Sequence, residues 1–300
     1  MTLKTRPLSN AVGTEILGFD MAAPVSDEMI EELKQHWAET GLLLFKNQKL
    51  TPEQQIAFAR RFGPSAPTPG VTRYLLDGYP ELFVIANRDA EGNLLETRET
   101  ARQWHSDHSF KIKPSTGSLL YCRKMPPVGG NTMYANMNQA YDALSDGMKE
   151  LIENLMAVHD VDNVKDMKNR APRTPEERAS TPPIAHRMVI THPVTGRKAL
   201  YVSEMFTDYI EGMTKEESAT ILNYLFQHSV RPEFTYRHQW DIDDVLMWDN
   251  RVVMHFAPRD YDPNDPAPDN WRYMLRATID PWDDENAFPE QEYSYKVTLG

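Results

Sequence analysis

At 300 residues, with 40% hydrophobic and 25% charged side chains, the chain has the composition of an ordinary folded protein, which excludes wholesale disorder. Its 32 lysines and arginines against 44 aspartates and glutamates leave a formal charge of −12, opposing the phosphate neutralisation on which nucleic-acid binding depends. The single cysteine, Cys122, excludes an intrachain disulfide framework, and no apolar run approaches the roughly 18 residues of a membrane span, so a cytoplasmic protein with neither membrane nor nucleic-acid partners is expected.

In chain order, Gly13 to Asp20 alternates and turns as a short strand would. Ser26 opens a helical pattern through Leu33 and Trp37, with acidic residues in the first turn where the helix dipole favours them. Leu42-Leu43-Leu44-Phe45 reads as a buried strand. Thr51-Pro52-Glu53-Gln54 is a capping-box start with proline at the first helical position, and Gly63-Pro64 stops that helix.

Strands dominate from there: Leu82 to Ile85, the stretch around His105, Gly117 to Cys122, and Thr132 to Asn136. Cys122 lies in an apolar run and reads as a small buried side chain. Ser145 begins a helix through Leu155, and Thr214 caps another whose buried stripe is Ile221, Leu222, Leu225 and Phe226. Val189 to Val202 reads as a hairpin turning at Thr195-Gly196. Phe234 to Trp240 alternates, Val245 to Trp248 is apolar throughout, and Trp271 to Ile279 closes the pattern as a strand.

Residues 162–183, polar and proline-containing, read as a long loop or lid, and Asp260 to Asp269 as a breaker-rich excursion. Helices are intercalated rather than alternating with strands, so a doubly wound parallel sheet fits poorly. A mainly β fold with flanking helices, an antiparallel jelly roll, fits better. Without a repeat or a boundary, 1–300 reads as one domain.

The chemistry-bearing stretch is Trp104-His105-Ser106-Asp107-His108-Ser109-Phe110. In an extended backbone His105 and Asp107 project to one side and Ser106 and His108 to the other. A nitrogen and an oxygen ligand then start from one place, two-thirds of the two-histidine, one-carboxylate set that suits non-haem Fe(II) oxygenases. The third ligand must come from far away, and His255, at the end of the apolar run Val252-Val253-Met254, is the candidate. His108 falls on the opposite face and is left a pocket or supporting role. His159, His186, His192, His228 and His238 lack ligand spacing and read as structural.

A bidentate 2-oxo acid on such a site has a distal carboxylate, which calls for a guanidinium and a hydroxyl. Arg272 and Arg276 share one face of the terminal strand, their stems about 13 Å apart, too far to clamp one small carboxylate together. Each can then have its own anion; without the metal triad, a pair of surface arginines on a half-exposed strand is the favoured reading.

These segments resemble the taurine dioxygenase and 2,4-dichlorophenoxyacetate dioxygenase family. The likeness runs from about Gly13 to Ile279 through Trp-His-Ser-Asp-x-Ser-Phe at Trp104, Gly-Gly-Asn-Thr at Gly129, Thr191-His192-Pro193 with Gly196, Trp-Asp-Asn-Arg at Trp248 with the distal His255, and Arg-x-x-x-Arg-Ala-Thr at Arg272. The resemblance implies a double-stranded β-helix and an Fe(II)- and 2-oxoglutarate-dependent dioxygenase that consumes O2, releases succinate and CO2, and assembles as a dimer or tetramer. It implies His105, Asp107 and His255 as iron ligands, Thr132 and Arg272 on the 2-oxoglutarate distal carboxylate, Arg276 on an anionic substrate, and Phe110 and Phe206 beside that substrate.

The chain departs from the family where a sulfonate-contacting histidine is replaced near Thr68-Pro69, and where Ala101 stands for an asparagine, which points away from taurine. The longer spacing from His255 to Arg272 leaves Arg259 as a competitor for the distal carboxylate; separately, Arg102 is a candidate second substrate contact beside Arg276. The expected substrate is a small sulfonate, sulfate ester or carboxylate. A Zn or Mn hydrolase with the same three ligands, or a non-catalytic jelly-roll binding protein, is the competing reading.

Overall fold

Four apolar runs, Leu42–Phe45, Val245–Asp249, Gly117–Lys124 and Tyr273–Ile279, lie side by side in the middle of one eight-stranded sheet. The computed structural model describes residues 3–65, 74–164 and 173–282. The sheet runs Thr5–Pro7, Thr14–Ile16, then those four in that order, then Tyr79–Ala86 and Leu75–Leu76. All pairings are antiparallel except that of Thr14–Ile16 with Leu42–Phe45.

Leu42–Phe45 and most of Val245–Asp249 read as unbroken apolar runs because both of their faces are covered. Leu42, Leu44, Leu120, Cys122, Leu246, Trp248 and Met274 enter one core, while Leu43, Phe45, Leu119, Tyr121, Val245, Met247, Leu275 and Ala277 enter the other. The second core lies under the helices Asp27–Thr40 and Pro52–Ala59, through Ile30, Leu33, Trp37, Ile56 and Phe58. Both helices start where capping chemistry dictates: Ser26 accepts from the Met29 N–H, and Thr51 and Gln54 form a reciprocal capping box.

The first core is closed from the other side by a three-stranded sheet ordered Thr235–His238, Thr132–Asn136, Val253–Phe256. A second three-stranded sheet, Thr207–Ile210, Met156–His159, Ile184–Arg187, and the hairpin Val189–Thr191 with Lys198–Leu200 extend that layer. Helix Lys215–Ser229, with its Thr214 capping box, packs Leu222 and Leu225 into the first core. The chain is therefore mainly β with flanking helices, as its sequence pattern predicts.

Three expectations need correcting or bounding. The stretch around His105 is not a strand: it makes one isolated bridge at His105 and then turns over Asp107–Phe110, with His108 at φ 57°. The helix from Ser145 stops at Ile152 rather than Leu155, and a short helix, Met137–Asp142, capped by Asn136, precedes it without a strong apolar period to announce it. Within 162–183, Pro175–Ser180 is helical, while 165–172 lie outside the described residues, as do Thr68 and Pro69.

Candidate active site

The strand Val253–Phe256 carries His255 opposite Tyr134, so its imidazole points from the small sheet into the space between the two layers. His105 and His255 then exchange both backbone hydrogen bonds, 3.1 Å from the His105 N–H and 2.8 Å from that of His255. A residue pair bonded in this way presents both side chains on one face, and the two rings sit 4.0 Å apart. The turn after the bridge, rather than strand alternation, returns Asp107 to the same place. Its Oδ1 is 3.7 Å from His105 Nε2 and 3.9 Å from His255 Nε2.

Each of the three residues offers one ligand atom, and these atoms lie within 4.8 Å of one another. The remaining atoms orient them. His105 Nδ1 lies 2.8 Å from the Gln103 carbonyl, so Nδ1 carries the proton and the Nε2 lone pair faces Asp107. Asp107 Oδ2 accepts from the Ser118 hydroxyl at 2.6 Å, leaving Oδ1 toward the imidazoles. Burial alone would raise the Asp107 pKa, but Arg276, with His255, His105 and His108, outweighs it and holds the carboxylate well below its usual range. Burial lowers the pKa of both histidines, with their mutual repulsion adding to it at His255. Neutral imidazoles and an ionised carboxylate are the protonation states a divalent cation needs, so the residues fit one.

Arg276 projects from the strand Tyr273–Ile279 and donates from Nη1 to Asp107 Oδ1 at 2.9 Å, while its Nε is buried without a hydrogen-bond partner. Arg272 stands just before that strand. Its backbone N–H donates to Asn87 Oδ1 at 2.9 Å and its Nε to the Gly130 carbonyl at 3.0 Å, which fixes the guanidinium by its inner edge. The Gly130 carbonyl is aimed by a tight turn: Gly129 and Gly130 both have positive φ, a Cβ on Gly129 would come within 2.2 Å of the Asp260 carbonyl oxygen, and Asp260 accepts from the Gly130 and Asn131 N–H groups. Thr132 follows at once, buried, its Oγ1 accepting from Trp240 Nε1 at 3.0 Å.

The competing arginines are placed elsewhere. Arg259 is 60% exposed and pairs with Glu99 at 3.3 Å, as a surface residue of the excursion. Arg102 is buried, but its guanidinium is occupied by the carbonyls of Arg98, Ala257 and Pro258. The residues between His255 and Arg272 thus form a loop pinned through Asp260 and Arg102.

Phe206 packs edge-on to the His105 ring at 5.9 Å, and Phe110 contacts Phe206 at 5.0 Å, with Val161 and Met205 completing a small apolar wall. Trp104 turns away to stack on Phe256. His108 is buried, its Nδ1 2.7 Å from Ser115 Oγ, and lies outside the group formed by His105, Asp107 and His255. His192, His228 and His238 bond to Asp249, the Ala140 carbonyl and Asp244, which are structural roles.

Ser118 and Asn250 escaped the sequence reading. Asn250 Oδ1 accepts from the Asp107 N–H at 3.3 Å and from Trp248 Nε1 at 2.9 Å, and its carbonyl accepts from the Ser106 hydroxyl. No local spacing links either residue to Asp107; only the recurrence of Asn250 within Trp-Asp-Asn-Arg pointed to it.

Two imidazoles kept neutral and one carboxylate kept ionised, aimed at a common point inside a mainly β frame, define a protein equipped for non-haem metal chemistry. The chain belongs to the Taurine catabolism dioxygenase TauD, TfdA family, whose model matches residues 4–278. It is 31% identical to the alpha-ketoglutarate-dependent 2,4-dichlorophenoxyacetate dioxygenase of Cupriavidus pinatubonensis, over 86% of this chain and 93% of that one. It is 29% identical to the alpha-ketoglutarate-dependent sulfate ester dioxygenase of Pseudomonas putida, over 87% and 86% of the two chains. Among solved structures, AAD-2 in complex with Mn(II) and N-oxalylglycine superposes with a TM-score of 0.78 at 34% identity, covering 94% of this chain and 98% of the other. A putative alpha-ketoglutarate dependent 2,4-D dioxygenase from Burkholderia xenovorans superposes with a TM-score of 0.80 at 30% identity, covering 95% and 99%.

Proposed function

We propose that the chain is an Fe(II)- and 2-oxoglutarate-dependent dioxygenase, on a double-stranded β-helix, that oxidises a C–H bond of a small anionic substrate and releases succinate and CO2. The observation that carries this is the convergence of His105 Nε2, Asp107 Oδ1 and His255 Nε2 at 3.7 and 3.9 Å about the carboxylate oxygen. His105, Asp107 and His255 would hold Fe(II) and leave it accessible to a 2-oxo acid and O2. When bound, Fe(II) and 2-oxoglutarate supply the oxidative decarboxylation and the oxidising power. The β-helix is supported by two facing antiparallel layers with the candidate ligands between them, and the reading as one domain by a core that runs from Val12 to Met274.

The chain's own share is placement and charge. Arg272, gripped at Nε, has its outer guanidinium edge available to a distal carboxylate, with the Thr132 hydroxyl as the second donor. Arg276 balances Asp107 with one N–H and retains others for the substrate's anionic group. Phe110 and Phe206 line the space beside His105 and keep water from the C–H bond to be oxidised.

The substrate class, a sulfonate, sulfate ester or carboxylate, rests on Arg276 and on relatives named for sulfate ester and 2,4-dichlorophenoxyacetate oxidation. A metal hydrolase would use the same three ligands but would have no use for a buried, half-bonded arginine at Arg272. The test is a panel of such acids assayed for substrate-dependent succinate release with Fe(II), 2-oxoglutarate and O2. Turnover that needs neither O2 nor 2-oxoglutarate would overturn the reading.

A further inference from the structure

Beside the turn that carries His105 and Asp107 lies a small chamber lined by Ser106, Ser109, His159, Tyr201, Ser203 and Asn250 among others. The chamber has room for about one water molecule. On its wall the His159 ring has Ser109 and the Tyr201 backbone as partners, and Ser203 Oγ and Asn250 Nδ2 are buried without a hydrogen-bond partner in the protein. His159, Ser203 and Asn250 are almost wholly enclosed, at 1%, 2% and 2% exposure. A buried polar group without a partner is costly, and Ser203 Oγ and Asn250 Nδ2 on one chamber wall call for a shared one.

We propose that this chamber is a binding site for a single structural water, and that Asn250, locked by that water, is a positioning residue for Asp107. The orientation of the Asn250 amide is determined independently of the chamber. Its Oδ1 already accepts from two fixed donors, the Asp107 N–H at 3.3 Å and Trp248 Nε1 at 2.9 Å. Turning the amide over would set an NH2 group against both N–H groups, so Nδ2 must donate on the other side.

A water there accepts from Nδ2 and has two hydrogens and a lone pair left for the Ser203 hydroxyl. His159 is itself aligned by Ser109 Oγ, 3.0 Å from its Nδ1. The Ser109 hydroxyl rotates to suit whichever ring nitrogen carries the proton. The two serines of the ligand turn, which take no part in holding a metal, thereby acquire a role. Ser106 bonds the Asn250 carbonyl and Ser109 bonds His159, so both sides of the chamber are stitched to the segment that delivers His105 and Asp107. A group that orients a ligand from behind tunes metal affinity even though it never touches the ion.

The positioning half of this proposal rests on the metal reading above; the water does not. The test is a crystal structure of the Mn(II)-loaded full chain together with Mn(II) titrations of the wild type, Ser203→Ala, Ser203→Thr and Asn250→Ala, followed by electron paramagnetic resonance. One ordered water within hydrogen-bonding distance of Ser203 Oγ and Asn250 Nδ2 is expected; a chamber without density, or the two atoms bonded directly to each other, overturns the site. Asn250→Ala should weaken Mn(II) binding by about tenfold or more and Ser203→Ala by a smaller factor, with Ser203→Thr restoring it. Unchanged Mn(II) affinity beside a lowered melting temperature overturns the positioning role. Should Asn250→Ala not fold, the serine pair decides the same question. A wild type that binds no Mn(II) overturns the metal reading and the positioning role with it, while the density still decides the water.

Discussion

His105 and His255, 150 positions apart in the chain, face each other across a two-hydrogen-bond backbone bridge, with their rings 4.0 Å apart. Because main-chain groups make the bridge, the side chains can be altered without unmaking it. His255→Ala should therefore keep its fold, by circular dichroism, while substrate-dependent succinate formation drops to background. Wild-type turnover in that variant would remove His255 from the chemistry.

Arg276 meets Asp107 Oδ1 at 2.9 Å and has N–H groups to spare. A charged hydrogen bond contributes about 1.5–3 kcal/mol, so Arg276→Ala should raise the KM of an anionic substrate by about ten- to a hundredfold. Arg276→Lys should recover little, since an ammonium cannot bridge a carboxylate and an anion as a planar fork does. Equal KM values in wild type and both variants would refute the anion role.

Arg272 and Arg259 make opposite predictions for the cosubstrate. Arg272→Ala should raise the 2-oxoglutarate KM by about a hundredfold, the loss of a bidentate carboxylate contact, whereas Arg259→Ala, removing an exposed pair with Glu99, should leave it unchanged. The reverse pattern would restore Arg259 as the cosubstrate arginine.

Ser118 supports Asp107 from the far oxygen at 2.6 Å. Ser118→Ala frees that oxygen to swing and should weaken Mn(II) or Fe(II) affinity by about tenfold, while the melting temperature of the metal-free chain changes little. Metal titration against thermal unfolding separates the two quantities.

Asp249 is fully buried between Arg251, 2.6 Å away, and His192, 3.1 Å away. Burial would raise its pKa, but those two partners overcome it and depress the folded value well below the unfolded one. A depressed carboxylate pKa contributes stability above the unfolded value, near 3.9, that is lost as the pH falls through the folded one. Asp249→Asn, which leaves a buried arginine without its counter-charge, should cost about 3–5 kcal/mol at pH 7 in urea unfolding. The gap to wild type should hold steady down to about pH 5 and narrow below pH 4. A gap that widens with acid would contradict the assignment.

Much of the frame was legible because local chemistry dictates it. The capping boxes at Thr51 and Thr214 form as their spacing predicts, the hairpin turns at Gly196 with φ 68°, and the strand Tyr273–Ile279 sends Met274 to one core and Leu275 to the other. Cys122 is buried as its apolar neighbours predict, and burial pushes its thiol pKa up to about 12. The reading failed where the backbone departs from a regular period: after His105 the chain turns, so the alternation argument paired His105 with Asp107, which the structure does bring together, by a geometry the protein does not use.

The sequence by itself determined which side chains were available: two histidines, one aspartate and two arginines, in segments whose apolar patterns and caps place them on a mainly β frame. Patterns of that kind are set by interactions within a few residues, so they can be read along the chain. Tertiary packing alone set Arg272 on the Gly130 carbonyl and Arg259 on Glu99 at the surface, gave the Arg102 guanidinium to backbone carbonyls, and brought Ser118 and Asn250 behind Asp107. Those outcomes depend on which buried polar groups meet across strands and loops distant in sequence, where each hydrogen bond is fixed by packing rather than by spacing.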